Sequence, residues 1–310
     1  MGEEKKYLFG PVPSRRLGLS LGVDIIPLKV CTLDCVYCQI GRTTEKAIER
    51  KDYVPVSAVL DELRGRLAQG LEADFITISG SGEPTLNLRL GDIVAGIKKL
   101  TGIPVAIITN GTLLYREDVR ADCARADVVV PSLDAGDEQT FEKINRPCRD
   151  ISFEKLIAGL VAFREEFDGQ IWLEVFLIEG FNTDVEQISR IKELIKLIKP
   201  DKVQLNTAVR PTAEVGIKRL DAVKLKAIAA QLGENCQVVA DFSPCYYGKH
   251  VESKAEDVLS MLKRRPCSLD DIAAGLRIDR KEALKYISYF QQQGVVNSEE
   301  KNGIIFFKTT

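Results

Sequence analysis

Cys31, Cys35 and Cys38 stand in the run CTLDCVYC, three thiols at CxxxCxxC spacing with Tyr37 directly before the last. Thiolates this close can each take one iron of a cubane [4Fe–4S] cluster and leave the fourth iron without a protein ligand, open to chemistry. The competing reading is a zinc knuckle. Zinc wants four ligands, usually as two separated CxxC or CxxH pairs, and the chain's single histidine, His250, is far off in sequence. The spacing favours the cluster. Cys123, Cys148, Cys236 and Cys267 have no metal-ligand spacing among themselves. They read as small buried hydrophobes, and no second cluster is expected. Cys245, in FSPCYYGKH, is a candidate redox or radical-relay thiol.

Composition narrows the class. At 310 residues the chain suits two domains, since domains commonly run to roughly 100–200 residues. An apolar fraction of 45% supplies a core, and a net charge of -2 argues against an overall polyanion-binding surface. Eight cysteines, three of them clustered, read as metal chemistry in a reducing compartment. No apolar run reaches the roughly 18 residues of a membrane span, and the start MGEEKKY is too charged for a secretory signal. A cytoplasmic protein without membrane association is expected.

The elements that must position the cysteines follow from periodicity. Residues 19–26 form an apolar strand stopped by Pro27, so the cysteine loop begins at a strand's carboxyl end. Further β-branched runs occur at 75–79, 105–109, 128–132, 171–178, 202–206 and 237–240. Helical periodicity fills the intervals at 56–69, 90–100, 116–125, 153–167, 184–198 and 221–233. Such alternation implies right-handed βαβ units, a parallel sheet and an open, incomplete (β/α) barrel. Before the first strand, PVPSRR reads as a rigid turn because two prolines fix the backbone. Its Arg15 and Arg16 are either an anion site or solvated charge.

Parallel barrels carry their working residues at the carboxyl ends of the strands. There the chain places Gly80, Ser81, Gly82 and Glu83 in SGSGEPTL, Asn110 in TNGT, and Ser132 and Asp134 in PSLDA. Arg146, Glu174, Glu179, Asn206 and Arg210 follow at later ends. Each has a bland reading: a glycine turn, an Asn-Gly turn, a helix cap at Asp134, a surface salt bridge at Arg146, a turn amide at Asn206 and a surface arginine at Arg210. If Glu174 points inward, then Phe176 does too and Val175 faces the helices.

The last part is a separate unit. A charged linker at 252–256 leads to helices at 257–263, at 268–276 capped by Ser268, and at 279–293 capped by Asp279, then to a hairpin with Asn302-Gly303 at its turn. This is similar to a winged helix-turn-helix module, which commonly lays its third helix in a DNA groove. From Glu256 to Thr310, nine Lys and Arg face eight Asp and Glu. So small an excess weakens a DNA reading, and a protein-docking or substrate-presenting role stands beside it.

FGPVPSRRLG before the cysteines, CTLDCVYCQIGRTT across them, SGSGEPTL and PSLDA together resemble the radical S-adenosylmethionine (SAM) superfamily. Within it they resemble an uncharacterised family distantly related to the wyosine-synthesis and nitrogenase-cofactor maturase branches. The resemblance implies an α/β core over residues 1–250, a partial (β/α)6-type barrel, with a small C-terminal winged-helix domain at 256–310. It implies that Cys31, Cys35 and Cys38 ligate a [4Fe–4S] cluster whose open iron is chelated by SAM. An electron then splits SAM to methionine and a 5'-deoxyadenosyl radical. By the same resemblance Gly80, Ser81, Gly82 and Glu83 meet the methionyl amine, Ser81 standing where the motif usually has glycine, while Asn110, Ser132 and Asn206 line the rest of the SAM site. Expected partners are an electron donor such as flavodoxin or ferredoxin, a protein or nucleic acid at the tail, and a substrate that gives up hydrogen: an RNA base, a peptide or protein side chain, or a small metabolite. An iron–sulfur-dependent DNA-binding regulator is the competing function. The intact SGSGEPTL segment argues for the enzyme.

Overall fold

The computed structural model describes residues 6–14, 16–240, 255–276, 278 and 280–310. The chain opens with β1 (Leu8–Ser14), β2 (Gly18–Val23), β3 (Val30–Cys31), β4 (Glu45–Lys46), α1 (Val56–Ala68), β5 (Phe75–Ile78) and α2 (Leu90–Leu100). It continues with β6 (Val105–Ile108), α3 (Glu117–Cys123), β7 (Val128–Val130), α4 (Glu138–Asn145), α5 (Phe153–Glu166), β8 (Gln170–Leu177), α6 (Val185–Ile198), β9 (Lys202–Thr207), α7 (Ala222–Leu232) and β10 (Cys236–Val238). The tail holds α8 (Ala255–Arg264), β11 (Cys267–Ser268), α9 (Leu269–Leu276), α10 (Arg280–Gln292), β12 (Val296–Lys301) and β13 (Ile304–Thr309).

One sheet of order β1-β2-β5-β6-β7-β8-β9-β10 organises the first part. From β2 onward every pairing is parallel, as the βαβ alternation demands. Its core joins strand residues such as Val23, Ile76, Ile107 and Leu173 to helix residues such as Val59, Leu63, Ile93 and Ile191. Burying each such side chain is worth roughly 1.5–3 kcal/mol. Asp137, Ser152, Asp184 and Asp221 cap α4, α5, α6 and α7 with side-chain oxygens, so each helix starts where an acceptor meets its free N–H groups.

Three expectations are corrected. Pro11 and Pro13 lie within β1, which pairs antiparallel with β2 and has a register irregularity between Phe9 and Val12. An edge strand tolerates the missing N–H groups of proline. The interval between the strand expected at 128–132 and the helix expected at 153–167, where no element was expected, holds α4, which ends at Asn145, and the cap of that helix is Asp137, since Asp134 bonds elsewhere. Expectations placed on Arg15, Cys245, linker residues 252–254 and the Asp279 cap fall outside the described residues.

The tail is a small unit of three helices and a sheet ordered β11-β13-β12. Asn302 and Gly303, with φ of 55 and 75, make the left-handed turn between β12 and β13. Its core, built on Val258, Leu262, Ile272, Ile287 and Phe290, also contains Val12 of β1. Arg210, in the loop after β9, pairs with Asp271 of α9 at 2.9 Å, both buried. The tail is therefore seated on the edge strand and on the end of the sheet's far half.

Candidate active site

A cavity of about 390 Å³ is lined by Ser20, Thr77, Ile108, Phe176 and Asn206, borne on β2, β5, β6, β8 and β9. Strands from both halves of the sheet share one space, so the sheet curls around it. Along β8 both Glu174 and Phe176 face the cavity, while Val175 is in the core beneath the helices, as strand alternation requires. Cys31, Cys35 and Cys38 line the same cavity.

The cysteine loop is held by neighbours on two sides. Asp34 N and Val36 N donate to Asn145 O and Ile144 O at the end of α4, and Cys148 N donates to Thr32 O. On the other side Lys29 N donates to Ser81 O at 2.6 Å, and Glu83 N donates to Val30 O. Side-chain amides reach the sulfurs: Asn110 Nδ2 lies 3.5 Å from Cys31 Sγ, and Asn145 Nδ2 lies 3.4 Å from Cys35 Sγ. Burial, then the nearby Glu83 carboxylate, pushes Cys31 up to about 12, and burial raises Cys35 and Cys38 as well. Metal binding to such thiols displaces their protons to solvent. Among the described residues no three His, Cys, Asp or Glu side chains converge on a single metal ion. A cubane asks for something else, one thiolate on each of three irons, with amide donors tuning the sulfurs. This donor set fits the cluster.

The SGSGE segment is pressed against the loop. A Cβ on Gly82 would stand 2.1 Å from Val30 O, so glycine alone permits the approach. Gly80, Ser81 and Gly82 line the cavity, and Ser81 Oγ donates to Asp24 at 2.6 Å. Glu83 is turned away from it, 2% exposed. Its carboxylate accepts from Thr85 N, the Thr85 and Thr109 hydroxyls and Asn110 N. Burial raises its pKa against those bonds. In this geometry Glu83 braces the ends of β5 and β6 and presents the backbone of Gly80–Gly82.

Asn206 is buried in the cavity wall, donating to Glu174 at 2.9 Å, and Glu174 also accepts from Arg16 at 2.6 Å. Asn110 adjoins Cys31, while Ser132 bridges the backbone of Glu174. Neither of these two lines the cavity. Asp134 lies behind the cysteine loop, accepting from Tyr37 Oη, Asn145 Nδ2 and Phe176 N. Burial pushes it up to about 6. Tyr37 stacks on Phe176 at 3.9 Å. Arg146 pairs with Glu214, and Glu179 with Lys224, away from the cavity. The surface reading of Arg146 holds, whereas Glu179, expected among the working residues at the strand ends, turns to Lys224 of α7 instead. Cys123 and Cys267 are buried in apolar clusters, also as their bland reading expects. Sequence reasoning missed Asn145, which reaches Cys35, and the tail's Met261, Arg264 and Arg265, which complete the cavity wall. None of the four left a local signal in the sequence, because each reaches the site only through the fold.

Comparison with known proteins agrees with this architecture. The Radical SAM superfamily model matches residues 25–195. The chain is 33% identical over 308 residues to UPF0026 protein MJ1312 of Methanocaldococcus jannaschii, covering 96% of this chain and 94% of that one. It is 38% identical over 305 residues to a protein of Brachyspira hyodysenteriae named GTPase Obg, covering 97% of this chain and spanning 45% of that relative's length. Among solved structures, TYW1 with a lysine-pyruvate adduct bound has the same fold, with a TM-score of 0.55 and 20% identity over 74% of this chain and 76% of that chain. With a cysteine loop at the end of a curled parallel sheet and a family match that spans both, the chain belongs to the radical SAM superfamily of enzymes.

Proposed function

We propose that this enzyme abstracts a hydrogen atom from a substrate held in the cavity beside SAM, with Cys31, Cys35 and Cys38 as the three protein ligands of the [4Fe–4S] cluster. Enzymes of the superfamily use that cluster and SAM, which together supply reductive cleavage of SAM and a 5'-deoxyadenosyl radical. The observation that carries the reading is the placement of three cysteines, two of them contacted by amides, on a cavity enclosed by the sheet. The chain's own part is to bind, orient and exclude competing reactions. The backbone of Gly80, Ser81 and Gly82, braced by Glu83, receives the methionyl amine. Asn110 and Ser132 set the loops beside it, and Asn206 faces the adenosyl part. Aromatic stacking of Tyr37 on Phe176 keeps water from the cysteine side. A reductant is required, and a flavodoxin or ferredoxin suits the task.

Support for the enzyme over an iron–sulfur-dependent DNA-binding regulator comes from the tail, whose Met261 and Arg264 of α8, with Arg265 directly after it, belong to the cavity wall. No helix among the described residues is long and apolar enough to cross a membrane, and we take the reducing cytoplasm as the enzyme's compartment. The test is anaerobic reconstitution with iron and sulfide, reduction, addition of SAM and chromatography for 5'-deoxyadenosine. The parent should form the nucleoside and a Cys31→Ala, Cys35→Ala, Cys38→Ala variant should not. A loaded, reduced, SAM-bound parent that forms none would overturn the reading.

A further inference from the structure

Charge in the cavity is out of balance. Among the described residues Arg16, Lys29, Arg210, Arg264 and Arg265 line it against one carboxylate, Glu174. Asp271 and Asp24 partner Arg210 and Arg264 from outside the lining, and counting them still leaves an excess of two positive charges. Three of the cations gather on the tail side: Arg210 after β9, and Arg264 and Arg265 at the end of α8. Arg210 is 4% exposed. Its Nε, like the Nε of Arg264, is buried without a hydrogen-bond partner among the described residues. Arg264 lies 3.6 Å from Asp24, stacks over Phe9 and donates through Nη1 to Ser260 O and Oγ, contacts that leave its Nε unused. The neighbouring Arg210 charge, and then burial, lower Arg265 below the usual arginine range. Crowded like charges with buried, unused N–H groups are costly unless an anion joins them.

We propose that Arg210, Arg264 and Arg265 form an anion subsite that holds a phosphate monoester on the substrate, making the substrate class a phosphorylated small molecule. A dianion matches the excess of two charges, and the planar guanidinium fork matches phosphate oxygens. The proposal rests on the proposed radical chemistry only for what becomes of the ligand. Binding itself does not need that chemistry. The tail then has a task in the reaction: Arg264 ends its α8 and Arg265 follows directly, and the Arg210–Asp271 pair seats it.

The test uses the full chain and inorganic phosphate, with chloride and acetate at matched ionic strength, followed by calorimetric titration and thermal unfolding. Phosphate should bind and raise the unfolding temperature, and acetate should not. Arg265→Gln should weaken phosphate about tenfold or more, the scale of losing charge-assisted hydrogen bonds. Without phosphate it should unfold no earlier than the parent, because it relieves the repulsion with Arg210. Arg89→Gln, at an exposed helix pair, should leave phosphate binding unchanged. No phosphate effect beyond chloride, an effect retained in Arg265→Gln, or acetate binding as tightly would each overturn the proposal. So would phosphate competing with SAM, which would assign the arginines to the cofactor's carboxylate. A chain that binds phosphate yet forms no 5'-deoxyadenosine would overturn the radical reading and leave the subsite standing. The reverse result would remove the subsite alone.

Discussion

Two amides decide how the cysteine sulfurs are treated. Asn110 and Asn145 come from opposite sides of the loop, and each reaches one sulfur at 3.4–3.5 Å. A hydrogen bond to a cluster sulfur favours the more negative, reduced state. Asn110→Ala and Asn145→Ala should therefore each lower the reduction potential of the reconstituted cluster, by something on the order of tens of millivolts. Redox titration followed by electron paramagnetic resonance measures it, and unchanged potentials in both variants would show the contacts to be idle. Of the two, Asn110 was legible because it ends a strand in a recognisable turn. Asn145 was not, because it reaches Cys35 from 110 residues away and no local pattern encodes such a contact. Glu83 was legible as an important carboxylate, but its orientation follows from Thr85, Thr109 and Asn110 together, which only the fold assembles.

At the scale of elements, the loops at the strand ends are kept in place by packing and by one buried cation. Gly82→Ala would drive a methyl group into Val30 O. We expect a loss of about 1–3 kcal/mol, the usual cost of overpacking, together with poorer iron retention; denaturant unfolding and iron analysis would measure both. Arg50 donates to Thr85 O and Asn87 O at 3.0 Å each and pairs with Asp118 and Asp122 of α3, tying the segment after SGSGE to a helix. Burial pushes Asp118 up, but the hydrogen bonds and charges of Arg116 and Arg50 outweigh it and hold the group at about 2. A lowered folded-state value means stability present above the unfolded value of 3.8 and lost as pH falls toward 2. Asp118 is half-exposed, so its share is screened to about 1 kcal/mol or less. Asp118→Asn should lose that share at neutral pH and flatten the stability profile between pH 4 and 2; an unchanged profile would contradict the assignment. The strands and long helices here were legible because period and length agree. The α4 helix was hidden because EQTFEKIN offers few apolar residues to mark a face, and β1 was hidden because its prolines signal a turn as readily as an edge.

The whole molecule is joined through the tail. The Arg210–Asp271 pair is buried on both sides, so Arg210→Ala leaves a carboxylate unpaired and should cost about 3–5 kcal/mol. A double variant, Arg210→Met with Asp271→Leu, should recover most of that loss, since an apolar pair of similar volume commonly replaces a buried ion pair. Equilibrium denaturation of both would decide it, and a double variant as weak as the single one would show that the pair does more than balance charge. The sequence told the tail from the barrel by its helices and Asn-Gly turn. It did not tell that the two share a core, because Val12 and α8 are joined only through the fold.

That shared core has a consequence for how the enzyme is made. The strand β1 leaves the ribosome well before the tail that packs on it, so the cavity has an unfinished side until the tail is made. Iron and sulfide can be loaded through that side before the tail docks and shuts it. Cys31 and Cys38 in stalled chains ending before residue 255 should therefore react with an alkylating agent faster than in the finished protein, and equal rates would mean that assembly follows another route.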